Sequence, residues 1–439
     1  YGIDAPGPYR AGRDLLLRRI PRRQENVLAG PVQQPGESRI DALCRLALQL
    51  QQGCLAVQGP PGSGKTLAAA HSVLALVRAG RRVGITAMSH KAISNLVDRV
   101  CQLAKERSQP VVVIQKAEDE QAASNPTVQC IGEPLDIVHA LATRRVDVVA
   151  GTPWLFARSD MMEAVDTLVI DEAGQLSLAN VIAMCGAARN LILCGDPQQL
   201  RQPVLGIHPD GVARSGLEHY LGDERTMPDD RGLFLDVTWR MHPSICAFVS
   251  EAFYEGRLTT APETFGHRIV ANSPSLSGAG LRDVPMRHVG NRVASPEEAL
   301  EVRRLVEQLI TAERVCPDGQ TRPVTLQDVL IVAPYNAHVR VLRDALPPGA
   351  RVGTVDRFQG QEAAVVIYSM ATSAGRDQPR SIDFLFNLNR FNVAVSRAQV
   401  AVFLVHSQEL AAVKPRTPPE LAQVNAMCRF VELASTVVS

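Results

Sequence analysis

Nearly unbroken apolar runs, each five or six residues long, punctuate the first half of the chain at 54–58, 83–87, 146–150, 166–170 and 190–195. Runs of that length without polar alternation predict strands buried on both faces, the pattern of a parallel sheet. Helix-forming stretches stand between them, the clearest opening at Leu67-Ala68-Ala69-Ala70. This alternation predicts a sheet flanked by helices. Residues 101–145 break the rhythm and predict a small insertion or irregular helices. Gly, Pro and Asp crowd 205–235, which places a domain boundary there. A second series of apolar runs follows near 328–333, 351–355, 364–370 and 400–406, and 418–437 carries helical periodicity. The pattern therefore predicts an α/β chain with an extension or linker over 1–37, one parallel-sheet domain over 38–225 and another over 226–439. The terminal helix is expected to pack on the second domain. Within 1–37, Arg13-Asp14-Leu15-Leu16-Leu17-Arg18-Arg19 predicts a short basic helix.

Composition changes this picture little. The chain has 439 residues, 46% hydrophobic and 21% charged, which is ordinary for a globular protein. No apolar run reaches the roughly 18 residues of a membrane span, and no secretory signal is visible. The net charge of +1 leaves any basic surface local. The nine cysteines include no CxxC pair and sit mostly in apolar segments, as buried free thiols of a reducing cytoplasm do. The first residue is Tyr1, so the chain reads as a fragment of a longer protein.

Chemistry enters at Gly59-Pro60-Pro61-Gly62-Ser63-Gly64-Lys65-Thr66, which fills every constrained position of the phosphate-binding pattern GxxxxGK[ST]. Glycines let backbone N–H groups close on the phosphates of a nucleoside triphosphate. Lys65 would add a point charge, the Thr66 hydroxyl would ligate Mg²⁺, and the following helix, through Leu67, would point its positive end at the anion. The apolar run Cys54–Val57 precedes the loop as a strand should. Leu168-Val169-Ile170-Asp171-Glu172 is a second strand, ending in two acids. There Asp171 would hold Mg²⁺ and Glu172 would orient or deprotonate the attacking water. Gly195-Asp196-Pro197-Gln198-Gln199 follows another strand and places Gln199 to sense the γ-phosphate. Phosphoryl transfer also needs cations, for which Arg240 and Arg397 are candidates among several arginines.

Taken together and in order, these segments resemble the superfamily 1 helicases, nearest the branch that holds the nonsense-mediated-decay helicase and the replication nuclease-helicases. The phosphate loop resembles motif I, Thr86–Ala92 motif Ia, and Gly151-Thr152-Pro153-Trp154 a strand-contact motif. Asp171-Glu172-Ala173-Gly174-Gln175 resembles motif II and Gly195–Leu200 motif III. Trp239-Arg240-Met241-His242-Pro243 resembles motif IV, Val355–Glu362 motif V and Asn389–Ala398 motif VI. The resemblance implies two RecA-like domains with a nucleotide cleft between them. It makes Arg240 and Arg397 the arginines at the γ-phosphate, Trp239 a stacking face for the base, Glu362 a ribose contact, and Gln359 and Gly360 cleft residues. It sets Ser89, His90, Thr152, Pro334 and Tyr335 near the nucleic-acid backbone.

Three departures stand beside it. No glutamine occupies the position near Ala42 where the branch carries one for adenine. Trp239 replaces the usual Tyr, and the barrel-like insertions of well-known members have no counterpart. The reading is an ATP- and Mg²⁺-dependent translocase on single-stranded nucleic acid, DNA rather than RNA, moving 5′-to-3′. Two alternatives stay open: a nucleic-acid-stimulated ATPase that does not unwind, and a nucleotide-gated module serving a nuclease domain in the same full-length chain.

Overall fold

The computed structural model describes residues 5–23, 30–118, 121–202, 209, 211–374 and 382–437, with the side chains of 382 and 383 left aside. The chain divides into two compact units. The first comprises Tyr1–Pro60, Gly64–Pro197 and Arg201–Leu235; the second comprises Pro61–Ser63, Gln198–Leu200 and Asp236–Ser439.

Among the described residues the first unit is built on eight strands: β1 (Cys54–Gln58), β2 (Val83–Thr86), β3 (Val113–Gln115), β4 (Gln129–Cys130), β5 (Val148–Ala150), β6 (Val165–Ile170), β7 (Ala188–Gly195) and β8 (Gly232–Phe234). They pair in the order β4-β3-β5-β2-β6-β7-β1-β8, every pair parallel. Side chains alternate across the sheet. Leu55 and Val57 of β1, Val83 and Ile85 of β2 and Val169 of β6 face the helices Arg39–Gln49, Lys65–Arg78 and His90–Glu106. The last of these is amphipathic, burying Ile93, Leu96, Val97, Val100, Cys101, Leu103 and Ala104 along one stripe. On the opposite face a Cβ at Gly84 would stand 2.8 Å from Leu168 and Phe156, so glycine lets those side chains lie on β2.

Residues 101–145 differ from the expected insertion. They finish the helix at Glu106 and supply β3 and β4, which extend the main sheet, before the helix Pro134–Ala142. The strands are two and three residues long and partly polar, too short for an apolar run to mark them. Strand β8 likewise carries the first unit on to Leu235, past the boundary read at 225. The described part of 1–37 is not a free linker. Its helix Arg10–Leu16 buries Ala11, Asp14 and Leu15, and Asp14 pairs with Arg19 and Arg22. The rest of that stretch, 1–4 and 24–29, lies outside the described residues.

In the second unit a short parallel pair, β9 (Val237–Thr238) and β10 (Thr259–Thr260), and an antiparallel ribbon of β11 (Arg268–Val270), β13 (Glu313–Val315) and β14 (Thr321–Pro323) flank the main sheet. That sheet holds β12 (Gly280–Met286), β15 (Val329–Ala333), β16 (Arg351–Thr354), β17 (Ala363–Ser369), β18 (Ala398–Ser407) and β19 (Ser435–Thr436), all parallel in the order β16-β15-β17-β18-β12-β19. One face packs on the helices Pro296–Leu309 and Asn336–Ala345 through Val302, Leu305, Leu309 and Leu342. On the helices Pro243–Phe253, Leu388–Val395 and Pro418–Leu433, Phe248 meets Phe253, Phe391 and Phe430 edge-on at 5.4 to 6.0 Å. No helix among the described residues is long and apolar enough to cross a membrane.

Candidate nucleotide and nucleic-acid sites

Because the strands of the first sheet are parallel, the ends of β1, β6 and β7 all emerge at one edge. There Gly59 N–H donates to Gly195 O at 2.9 Å, fixing the start of the phosphate loop to the end of β7. Gly62 and Gly64 take left-handed backbone angles, φ 74° and 79°, which only glycine adopts without strain. Gly64 is also the N-cap of the helix Lys65–Arg78, so the loop runs directly into a helix N-terminus. Lys65 Nζ donates to Gly59 O at 2.7 Å, closing the ammonium over the loop.

Asp171 is buried at the end of β6. Its carboxyl is raised to about 7, chiefly by burial and then by the adjacent Glu172 charge; the Glu172 N–H and the Lys65 ammonium oppose the rise. A carboxylate desolvated in this way calls for a cation. Glu172 sits at φ 51° and ψ 37°, and Gln175 Nε2 holds its carboxylate at 3.0 Å. Among the described residues no group of three or more His, Cys, Asp or Glu gathers as a metal cage. A buried carboxylate at the sheet edge of the phosphate loop suits Mg²⁺, an ion that keeps waters and binds through substrate phosphates. Thr66 and Asp171 are the residues that would hold it.

Backbone contacts that composition hides bind this edge together. A Cβ on Gly174 would stand 2.6 Å from Asp196 O, and one on Gly195 would stand 2.6 Å from Gly174 N. Ala173 and Gly174, which follow the two acids, therefore lie backbone to backbone against Gly195 and Asp196. Buried Gln58 bonds Asp196 Oδ1 at 3.4 Å and Arg225 O at 3.0 Å, and accepts Met227 N–H at 2.7 Å. The sequence offered one signal for Gln58, a polar residue closing an apolar strand.

Within the second unit, Thr238 Oγ1 donates to Pro61 O at 2.9 Å and Trp239 N–H to Gly62 O at 2.8 Å. A Cβ on Gly62 would meet Arg240 Cβ and Thr238 Oγ1 at 2.6 Å. Arg240 Nε donates to Glu362 Oε2 at 2.6 Å and its Nη1 to Ser396 O at 3.1 Å. Glu362 also accepts from Gln399 Nε2 at 2.9 Å. Arg397 is 3% exposed and donates to Gln199 Oε1 and to Gln361 O, each at 3.4 Å. The structure thus brings Arg240, Arg397, Glu362 and Gln199 into one cluster. Asn389 Nδ2 bonds Gln199 O, and Asn392 Nδ2 bonds Gln198 O at 2.9 Å. Those two asparagines hold the glutamine turn and were quoted in the motif without a role. Gly360 has φ 74°.

The expected nucleic-acid residues fall on separate elements. Ser89 is the N-cap of the helix His90–Glu106, accepting Ala92 N–H at 3.2 Å, so its hydroxyl has a structural task. Thr152 is the N-cap of the one-turn helix Pro153–Phe156, and its side chain makes no cap bond. Beside it Trp154 is 83% exposed, and Trp239 is 61% exposed. Both tryptophans of the chain therefore offer open rings. Pro334 and Tyr335 line a pocket of about 420 Å³ with Asn336, Thr354, Asp356, Phe384 and Arg390. Tyr335 stacks on Phe384 at 5.3 Å, and the Arg390 guanidinium lies 4.5 Å over the Phe384 ring. Tyr335, which is buried, Phe384 and Arg390 thus stack into one platform on the pocket wall. Phe384 gives no sequence signal because its helix, Ile382–Leu385, is a single turn, too short for a period to show.

Comparison with known proteins places these sites in context. A family described as "AAA domain" matches residues 41–207, and another of the same description matches 213–409. The chain is 26% identical over 417 residues to "DNA-binding protein SMUBP-2" of Mesocricetus auratus, covering 80% of this chain and 40% of that protein. It is 25% identical to "DNA replication ATP-dependent helicase/nuclease JHS1" of Arabidopsis thaliana, over 80% of this chain and 27% of that one. It is 26% identical to "Regulator of nonsense transcripts 1 homolog" of the same plant, over 83% and 32%. The chain thus spans less than half the length of these relatives.

Proposed function

We propose, from the premise that the chain belongs to the superfamily 1 helicases in the branch of the regulator of nonsense transcripts, that it hydrolyses ATP to move along single-stranded nucleic acid. The observation that carries this reading is the single sheet edge where a helix-capping phosphate loop, a buried Asp171 and a fixed Glu172 meet.

In the proposed reaction Lys65 binds the β- and γ-phosphates, and the loop N–H groups orient them in line. Thr66 and Asp171 would hold Mg²⁺, which spreads charge over the phosphate oxygens when bound. Glu172 orients the attacking water and takes its proton. Arg397 and Arg240 neutralise charge developing on the γ-phosphoryl group, with Gln199 reporting its presence through Arg397. Trp239 offers the base a stacking face. Stacking tolerates any base, which agrees with the lack of a glutamine near Ala42.

Trp154 and the Tyr335–Phe384–Arg390 platform are proposed to hold the strand, with backbone contacts dominating and binding that weakens as salt rises. Two relatives carry DNA in their printed names, which favours DNA; the 5′-to-3′ direction rests on resemblance to the branch. The helicase/nuclease relative favours a nuclease domain elsewhere in the full-length chain. Nine cysteines without a disulfide among them favour a reducing, cytoplasmic setting.

A forked DNA duplex with a labelled strand tests the motor. Strand release that requires ATP and disappears in Glu172→Gln is expected. Hydrolysis without release would leave an ATPase that does not unwind. Full function of a Glu172→Gln full-length protein would favour the gating module instead.

A further inference from the structure

The edge of the first sheet opposite the phosphate loop carries a second basic site. Gln51 and Gln52 precede β1, Arg81 precedes β2, and Arg189 and Asn190 open β7. In a parallel sheet all these positions lie at the N-terminal edge, one strand length, roughly 16 Å, from the loop. Together with Arg10 and Arg22 they line a pocket of about 490 Å³.

Charge in this pocket is unbalanced. Arg22 is paired with Asp14 at 3.2 Å, and Arg189 faces Glu163 at 3.8 Å. Arg10 instead donates to the amide oxygen of Gln52 at 3.5 Å, and Arg81 to the carbonyl of Leu48 at 2.8 Å. Among the described residues neither has a carboxylate partner. The Nε of Arg10 is buried and has no hydrogen-bond acceptor. A buried donor left unpaired costs stability unless something accepts from it. Guanidinium groups converging with amides match the oxygens of a phosphate, which arginine binds in a bidentate fork. No aromatic ring and no acid lines the pocket, so it suits neither a stacked base nor a metal ion.

We propose that this pocket binds a phosphate group, independently of the nucleotide loop. Two sources share that chemistry: the phosphodiester backbone of a nucleic acid and a free phosphoanhydride. The first arm of the test titrates pyrophosphate into the Lys65→Ala chain, whose loop no longer competes, by calorimetry. Binding should weaken about tenfold or more when Arg10→Gln and Arg81→Gln are added. The second arm measures binding of a short blunt DNA duplex across salt concentrations. If the backbone occupies the pocket, the slope of log K against log salt should fall by about 2 in the double variant. Arg10→Gln alone, which removes one bond to Gln52, serves if the double variant melts early. Loss in either arm supports the proposal and names the source. Unchanged pyrophosphate affinity and an unchanged salt slope would overturn it.

Discussion

Gly174 shows how much one residue can be asked to do at this site. Its missing side chain lets the residues after Asp171 and Glu172 lie against Asp196 O, which a Cβ would approach to 2.6 Å. Backbone cannot yield as a side-chain tip can. Gly174→Ala should therefore destabilise the first unit by about 1–3 kcal/mol, read from the urea midpoint; an unchanged midpoint would contradict the contact. The arginines are argued differently. Arg397 is buried and faces Gln199, so Arg397→Ala should lower kcat by about 10³-fold with the far-UV spectrum preserved. A loss of tenfold or less would remove it from the reaction. Asp171, Glu172 and Lys65 were legible because their residue types and spacing follow from the chemistry of a triphosphate. Gly174 and Asn392 were not, because their tasks are contacts with segments distant in the chain.

At the level of elements, every strand marked by an apolar run formed where expected, since burial on both faces demands such runs. Strand β12 escaped notice although it lies between β18 and β19. Its Arg282 and Asp283 look like surface residues in sequence, yet Arg282 is tied to the carbonyls of Ser275, Ser277, Ala279 and Leu281, and Asp283 to His406 at 2.8 Å. A second hidden device joins the starts of the helices Pro296–Leu309 and Asn336–Ala345 to the end of β17. Buried Glu298 accepts from Ser369 Oγ at 2.6 Å, Ala371 N–H at 2.9 Å and His288 Nε2 at 3.0 Å. Since Ser369 donates its proton to Glu298, His338 Nε2 must donate to Ser369 at 2.7 Å, while His338 Nδ1 accepts Ser295 N–H at 3.3 Å. His338 is therefore neutral. Burial lowers its pKa from 6.5 to about 4, the Glu298 charge opposing and His288 adding to the fall. Between those values the unfolded chain takes a proton that the folded chain refuses. This contribution is complete above pH 6.5 and is lost on acidification towards pH 4, up to about 3 kcal/mol. His338→Gln should flatten the fall in unfolding free energy over that window; a slope equal to the parent's would show that His338 titrates normally.

The whole molecule is two parallel-sheet units, one of which carries a phosphate loop. That much was written in the alternation of runs and the GxxxxGK[ST] pattern. The extent of the first unit was not, because β3, β4 and β8 are two or three residues long, too short for an apolar run to mark them. The exposed Trp154 and Trp239 give the two proposed ligands separate reporters. In a Trp154→Phe chain, ATP should quench the remaining fluorescence, and in a Trp239→Phe chain, single-stranded DNA should. Quenching by the opposite ligand in each would reverse the assignment of the two surfaces. The central claim is that nucleic acid and ATP hydrolysis are coupled in this chain. Its most direct test is the steady-state hydrolysis rate with and without single-stranded DNA or RNA, beside Lys65→Ala. Strong stimulation by DNA, weaker stimulation by RNA and none in Lys65→Ala are expected. A rate indifferent to either polymer would contradict it.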